Sequence, residues 1–180
     1  QGESTTFPPA VARGRVFWLD ARSGVSDLNA CRPGGIGRPC RAYETDLEPT
    51  PRAFLESDGR NLTWIEAGNR IAFCRVDRRR GTCLRQSLDE PILTASRPTS
   101  SGNLVAWVKL TFRGDNILQL CERAADTGRC QTLDVMRAVG DDAPKLQGNR
   151  LVWDAKIGDQ ASDVFFCEYD SIRRECPVQR

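Results

Sequence analysis

The chain has 180 residues, 39% apolar and 28% charged, with a formal net charge of +2. That composition fits a soluble globular protein, and the charge is too small to mark a nucleic-acid binder. Histidine is absent, which excludes Ser-His-Asp and Cys-His catalysis and His-ligated zinc; Met136 is the one methionine. The lysines are Lys109, Lys145 and Lys156 among 26 basic residues, so the positive charge is almost all arginine. No stretch approaches the roughly 18–20 apolar residues of a membrane helix. The opening QGESTTFPPA lacks the pattern of a leader and is expected to be a mature start. With 15 Gly and 10 Pro, the chain suits short strands and turns.

Read in order, the chain says nearly the same thing four times. A short first strand is expected near Ala10–Ala12. The phrase GRVFW then turns at Gly14 and runs as a strand to Trp18, and SDLNAC is a strand ending at Cys31. After RPGGIGRP a fourth strand starts at Cys40. The second repeat gives Ala53–Glu56, then GRNLTW from Gly59 to Trp64, NRIAFC to Cys74, RVDRRRGT, and a strand from Cys83. The third gives Leu93–Ser96, GNLVAW from Gly102 to Trp107, NILQLC to Cys121, ERAADTGR, and a strand from Cys130. The fourth gives Pro144–Leu146, GNRLVW from Gly148 to Trp153, SDVFFC to Cys167, EYDSIRRE, and Cys176 close to the end. Alternating apolar residues bounded by Gly-rich turns are the signal of half-buried strands.

Two rulers run in phase. The first cysteines recur at 43, 47 and 46 residues, and the tryptophans at 46, 43 and 46. Every cysteine pair is C-x8-C, which fits no zinc pattern and suits a stapled hairpin. Eight cysteines allow 105 pairings, and the repeat selects one bridge inside each hairpin. Four such bridges imply an oxidising compartment, hence a secreted, extracellular or periplasmic protein. A period near 46 with four strands per unit is that of propeller blades. The expected fold is all-β: one β-propeller domain over 1–180, with blades near 5–46, 47–91, 92–137 and 138–180. The strict recurrence of Trp18, Trp64, Trp107 and Trp153 favours blade-to-blade packing over sugar stacking.

Glu56-Ser57-Asp58-Gly59-Arg60 before an apolar strand, Gly148-Asn149-Arg150-Leu151-Val152-Trp153-Asp154, and Ser162-Asp163-Val164-Phe165-Phe166 resemble TolB-like (WD40-like) β-propeller repeats; Ser26-Asp27-Leu28-Asn29 matches in part. The resemblance spans nearly the whole chain and implies a protein-binding or accessory module, with no catalytic residues. The C-x8-C staples are an addition to the family pattern, and four repeats are fewer than its usual six or seven. Either four blades close a ring, with Ser4–Phe7 completing the last one, or they share a ring with another copy.

Function is read mainly by exclusion: a non-catalytic, extracytoplasmic protein-binding or assembly module without a cofactor. Loops joining second to third strands sum to −2, and hairpins joining third to fourth strands to +4. The basic set centres on Arg78, Arg79 and Arg80, which suit a partner or an anionic ligand bearing carboxylates, phosphates or sulfated sugars. Faces of opposite sign also suit stacking into an extracellular filament or another assembly. From a different class stands a glycan-binding or glycan-processing protein using carboxylates in the central channel or face loops, although the adjacent Asp141 and Asp142 are expected to face different ways on an extended segment. Asp154, Asp159 and Asp163 lack the spacing of a calcium loop and read as a solvated turn. Arg113-Gly114-Asp115 and the sequon Asn61-Leu62-Thr63 are noted without a role.

Overall fold

The computed structural model describes residues 8–22, 25–34, 41–44, 54–66, 70–80, 82–87, 97–111, 116–124, 129–137, 140, 143–156 and 162–180. Of 20–22, 25–27, 41–44, 83, 84, 87 and 156 it describes the backbone alone. The described residues form strands and turns with no helix, and none could cross a membrane as a helix. The chain divides into two compact units, residues 1–87 and 88–180, and each holds two antiparallel sheets.

In the first unit, β1 (Ala10–Ala12), β2 (Arg15–Arg22), β3 (Val25–Arg32) and β4 (Arg41–Glu44) form one sheet in chain order. β5 (Glu56–Ser57), β6 (Asn61–Glu66), β7 (Arg70–Val76) and β8 (Cys83–Ser87) form the next. In the second unit, β9 (Thr99–Ser101), β10 (Leu104–Leu110), β11 (Asn116–Arg123) and β12 (Cys130–Arg137) make a third four-stranded sheet. β13 (Lys145–Gln147), β14 (Arg150–Lys156) and β15 (Ser162–Glu168) make a three-stranded fourth.

Turn chemistry sets these meanders. Ala12 pairs with Arg15, so Arg13 and Gly14 are a two-residue hairpin loop, with φ of 51° and 71°. Positive φ at both positions is a type I′ turn, whose twist matches the strands it joins. Gly59, Gly102 and Gly148 also have positive φ in the corresponding turns, as the repeated phrases predict, but Gly102 and Gly148 stand first in their two-residue loops where Gly14 stands second. The first strands fall close to expectation in three repeats. In the third, Leu93–Ser96 lies outside the described residues, and the first strand is Thr99–Ser101.

Each unit has its own core between its two sheets. In the first, Phe17, Leu19, Leu28 and Ala30 pack with Leu62, Trp64, Ala72 and Cys74. In the second, Ala106, Val108, Leu118 and Leu120 pack with Leu151, Trp153, Phe165 and Cys167. Backbone and side-chain bonds stitch neighbouring sheets. Arg13 N–H donates to the Gly59 carbonyl at 2.8 Å, and the Ser57 hydroxyl to the Val11 carbonyl at 2.8 Å. In the second unit Gly148 N–H donates to Ser101 Oγ at 2.8 Å.

The fourth sheet departs from the four-strand expectation. Beyond β15 it has isolated bridges, Phe166 with Gln179 and Asp170 with Glu175. Phe166 and Gln179 exchange N–H···O bonds of 2.9 and 2.8 Å. Two residues before Gln179 stands Pro177, which has no N–H to give to a ladder, so pairing stays a single rung. Ser4–Phe7, expected to complete this sheet, lies outside the described residues.

Candidate functional site

The hairpins joining third to fourth strands carry both the predicted basic residues and the disulfides. Cys121–Cys130 and Cys167–Cys176 are formed, with Cα atoms 5.5 and 5.3 Å apart. Cys31 and Cys74 are disulfide-bonded as well. Cys40 and the Cys83 side chain, their predicted partners, lie outside the described residues. In the second sheet Cys83 pairs with Val76, and in the third Cys130 pairs with Arg123, each two residues past the first cysteine. The Cys121–Cys130 staple therefore crosses the ladder diagonally, a register the spacing alone did not reveal. Disulfides of this kind suggest an oxidising, extracellular or periplasmic setting.

Arg78, Arg79 and Arg80 occupy the β7–β8 turn, and all three are exposed. The turn is held from within. The Asp77 carboxylate accepts the N–H of Arg79 at 2.8 Å and of Arg80 at 2.6 Å, and Asp77 N–H donates to the Thr82 carbonyl at 2.8 Å. The Arg80 N–H, then that of Arg79 and the two guanidinium charges, hold the Asp77 carboxyl below its ordinary range. From the neighbouring sheet, the buried Arg15 donates from Nη2 to the Arg79 carbonyl at 3.3 Å. Asp170 repeats the arrangement in the last hairpin, accepting from Ile172 at 2.8 Å and Arg173 at 3.1 Å. Asp77 and Asp170 each stand three residues after the first cysteine of a pair. An Asx-type cap at that position therefore pre-forms both turns.

A second feature, in the second unit, was not foreseen. Between the third and fourth sheets lies a cleft of about 240 Å³ lined by Glu122, Ala124, Arg129, Cys130, Gln131, Tyr169 and Arg174. The Tyr169 hydroxyl donates to Glu122 Oε2 at 2.9 Å, and Arg174 Nη1 donates to Gln131 Oε1. Burial first, then the bond to Glu122, pushes Tyr169 up to about 12. At neutral pH it is a proton donor committed to Glu122. Arg174 has φ of 57°, in the left-handed region, where the second and third repeats carry Gly81 and Gly128 in sequence. The only signal for this cleft was positional: Glu122 and Tyr169 stand one and two residues after the first cysteines of consecutive repeats.

The tryptophans divide. Trp64, Trp107 and Trp153 are buried, whereas Trp18 is partly exposed. Trp107 Nε1 donates to Gln119 Oε1 at 3.1 Å, and Gln119 Nε2 to Asp134 Oδ1 at 2.8 Å. Trp153 Nε1 reaches Met136 Sδ at 3.4 Å across the sheet interface, and its ring stacks on Phe165. Trp64 Nε1 is buried without a partner among the described residues, and Ala72 stands where Gln119 stands in the next repeat. Asn61 of the sequon is buried, and its Nδ2 donates to Asp58 Oδ2 at 2.6 Å. Asp163 is bridged to Arg180. Arg113–Asp115, Asp141, Asp142 and Asp159 lie outside the described residues. Among the described residues no group of three acidic or cysteine side chains is placed to hold a metal.

No protein-family model matches the chain, and no curated protein matches it in sequence. Solved structures do. A protein from Lactobacillus plantarum aligns over 95% of this chain and 53% of its own, with a TM-score of 0.55 at 11% identity. A mutant puromycin hydrolase complexed with PGG aligns over 96% of this chain and 28% of its own, with a TM-score of 0.61 at 15% identity. These neighbours are propeller-like, and identities this low bear on the fold alone. The chain spans about half the length of the first and under a third of the second.

Proposed function

We propose that this chain is a non-catalytic, extracytoplasmic binding and assembly module built from four propeller blades of the TolB-like type. The observation that carries the reading is the ordered arginine turn. Asp77 fixes the backbone before any ligand arrives, so Arg78, Arg79 and Arg80 are presented to solvent at little ordering cost. Guanidinium forks on a fixed turn suit a carboxylate-bearing protein surface. The polar groups of the cleft serve a different end: Tyr169, Glu122, Arg174 and Gln131 bond across two sheets. One structural neighbour is a hydrolase, and that likeness concerns the fold.

The test is cross-linking of the intact protein in the extracytoplasmic fraction of its source, read by mass spectrometry. Recurrent adducts with a protein, itself or another, are expected. A chain that yields no protein adduct overturns the reading.

A further inference from the structure

Both units obey one packing rule. In each core, the sheet face that bears the tryptophan receives the tryptophan-free face of the sheet before it. The Trp64 face, with Leu62 and Cys74, receives Phe17, Leu19 and Leu28. The Trp153 face, with Leu151 and Phe165, receives Ala106, Val108 and Leu118. The second and third sheets are buried on both faces, as Phe73 and Ile71 of one and Val105 and Trp107 of the other illustrate.

The rule leaves two faces over. On the first sheet, the face bearing Trp18 also bears Val16 and Val11; Val11 is 58% exposed, and Val16 and Trp18 are partly exposed. On the last sheet, the tryptophan-free face carries Val152 and Phe166, which pair directly, and Val164, which is 63% exposed. A row of exposed aliphatic and aromatic side chains on one sheet face is the mark of a docking surface.

We infer that the tryptophan-free face of the last sheet docks on the Trp18-bearing face of the first sheet in a second copy of this chain. The inference rests on the assembly-module reading and names its partner. One point singles out a second copy. The leftover faces are of the complementary kinds that already pack twice inside the chain, so each copy carries one donor face and one acceptor face. The contact is heterologous, because different residues meet from each side; it yields a ring where it closes and a filament where it does not.

The test uses the full chain and two variants at exposed positions, Val164→Asp on one face and Val11→Asp on the other. Size-exclusion light scattering of the unaltered protein is expected to give at least twice the 20.0 kDa of one chain. Each variant alone should run at one chain, having lost one half of every contact. Mixed in equal amounts, they should form a species of two chains, since each supplies the face the other lacks. That recovery also shows that both variants fold. An unaltered protein that stays at one chain overturns the inference. So does an assembly indifferent to both substitutions, or a mixture that stays at one chain. Those results leave the binding-module reading to its own test, because adducts with a different protein would still be found by cross-linking.

Discussion

Tyr169 and Glu122 are 47 residues apart, and the phenol of one donates to the carboxylate of the other at 2.9 Å, joining the last two sheets at their hairpin edge. Tyr169→Phe removes the donor and leaves Glu122 partly buried with one acceptor unmet. A loss of about 1–2 kcal/mol is expected, seen as a lower melting temperature.

The same pair predicts an alkaline transition. The folded state raises Tyr169 to about 12 from an ordinary value of 10.0, so the protonated phenol is the form that folding favours. Its contribution is fully present below pH 10 and is lost as pH rises through about 12. Phenolate absorbance should show a late component, and Tyr169→Phe should remove it. The chain has only two tyrosines, which keeps the reading simple. A titration with the late component still present in the variant would refute the assignment.

Trp64 and Trp107 have the same burial, 1% exposed each, and different partners. Trp107→Phe strands the Gln119 oxygen, while Trp64→Phe removes an N–H that has no acceptor among the described residues. Trp107→Phe is expected to cost about 1 kcal/mol more than Trp64→Phe in denaturant melts. Equal losses would mean that ring volume alone matters.

Arg13 holds φ of 51° in the first hairpin turn, a conformation asparagine tolerates far better. Arg13→Asn keeps the backbone bond to Gly59 and should stabilise by about 0.5–1 kcal/mol. Gly14→Ala should do the opposite and lower the melting temperature, although a Cβ there meets nothing within 4 Å, because φ is 71°.

The Cys121–Cys130 bridge closes a short loop. Replacing both cysteines by alanine should cost about 2–3 kcal/mol by the chain-entropy argument. Comparable melting temperatures with and without the bridge would show that packing alone holds that hairpin.

Much of this architecture was legible because its causes are local and repeated. The alternation in GNLVAW, the glycine that opens it and the C-x8-C spacing act within one hairpin, so they recur wherever the hairpin recurs. Gly14, Gly59, Gly102 and Gly148 all adopt the positive φ that the repeated phrases require. The Arg78–Arg80 turn was visible as a basic run, and Asp77, the residue that orders it, lay inside the same hairpin.

What stayed hidden depends on neighbours distant in sequence. Trp18 and Trp107 end nearly identical phrases, GRVFW and GNLVAW, yet one is partly exposed and the other buried, since burial depends on what covers the sheet face and not on the strand itself. Glu122 meets Tyr169 only when one sheet stacks on the next, and no local pattern announces that pairing. By itself, then, the sequence determined the strands, their turns and their staples, through short-range conformational preference. Only the tertiary structure decided which faces are covered, because burial is a property of stacked sheets.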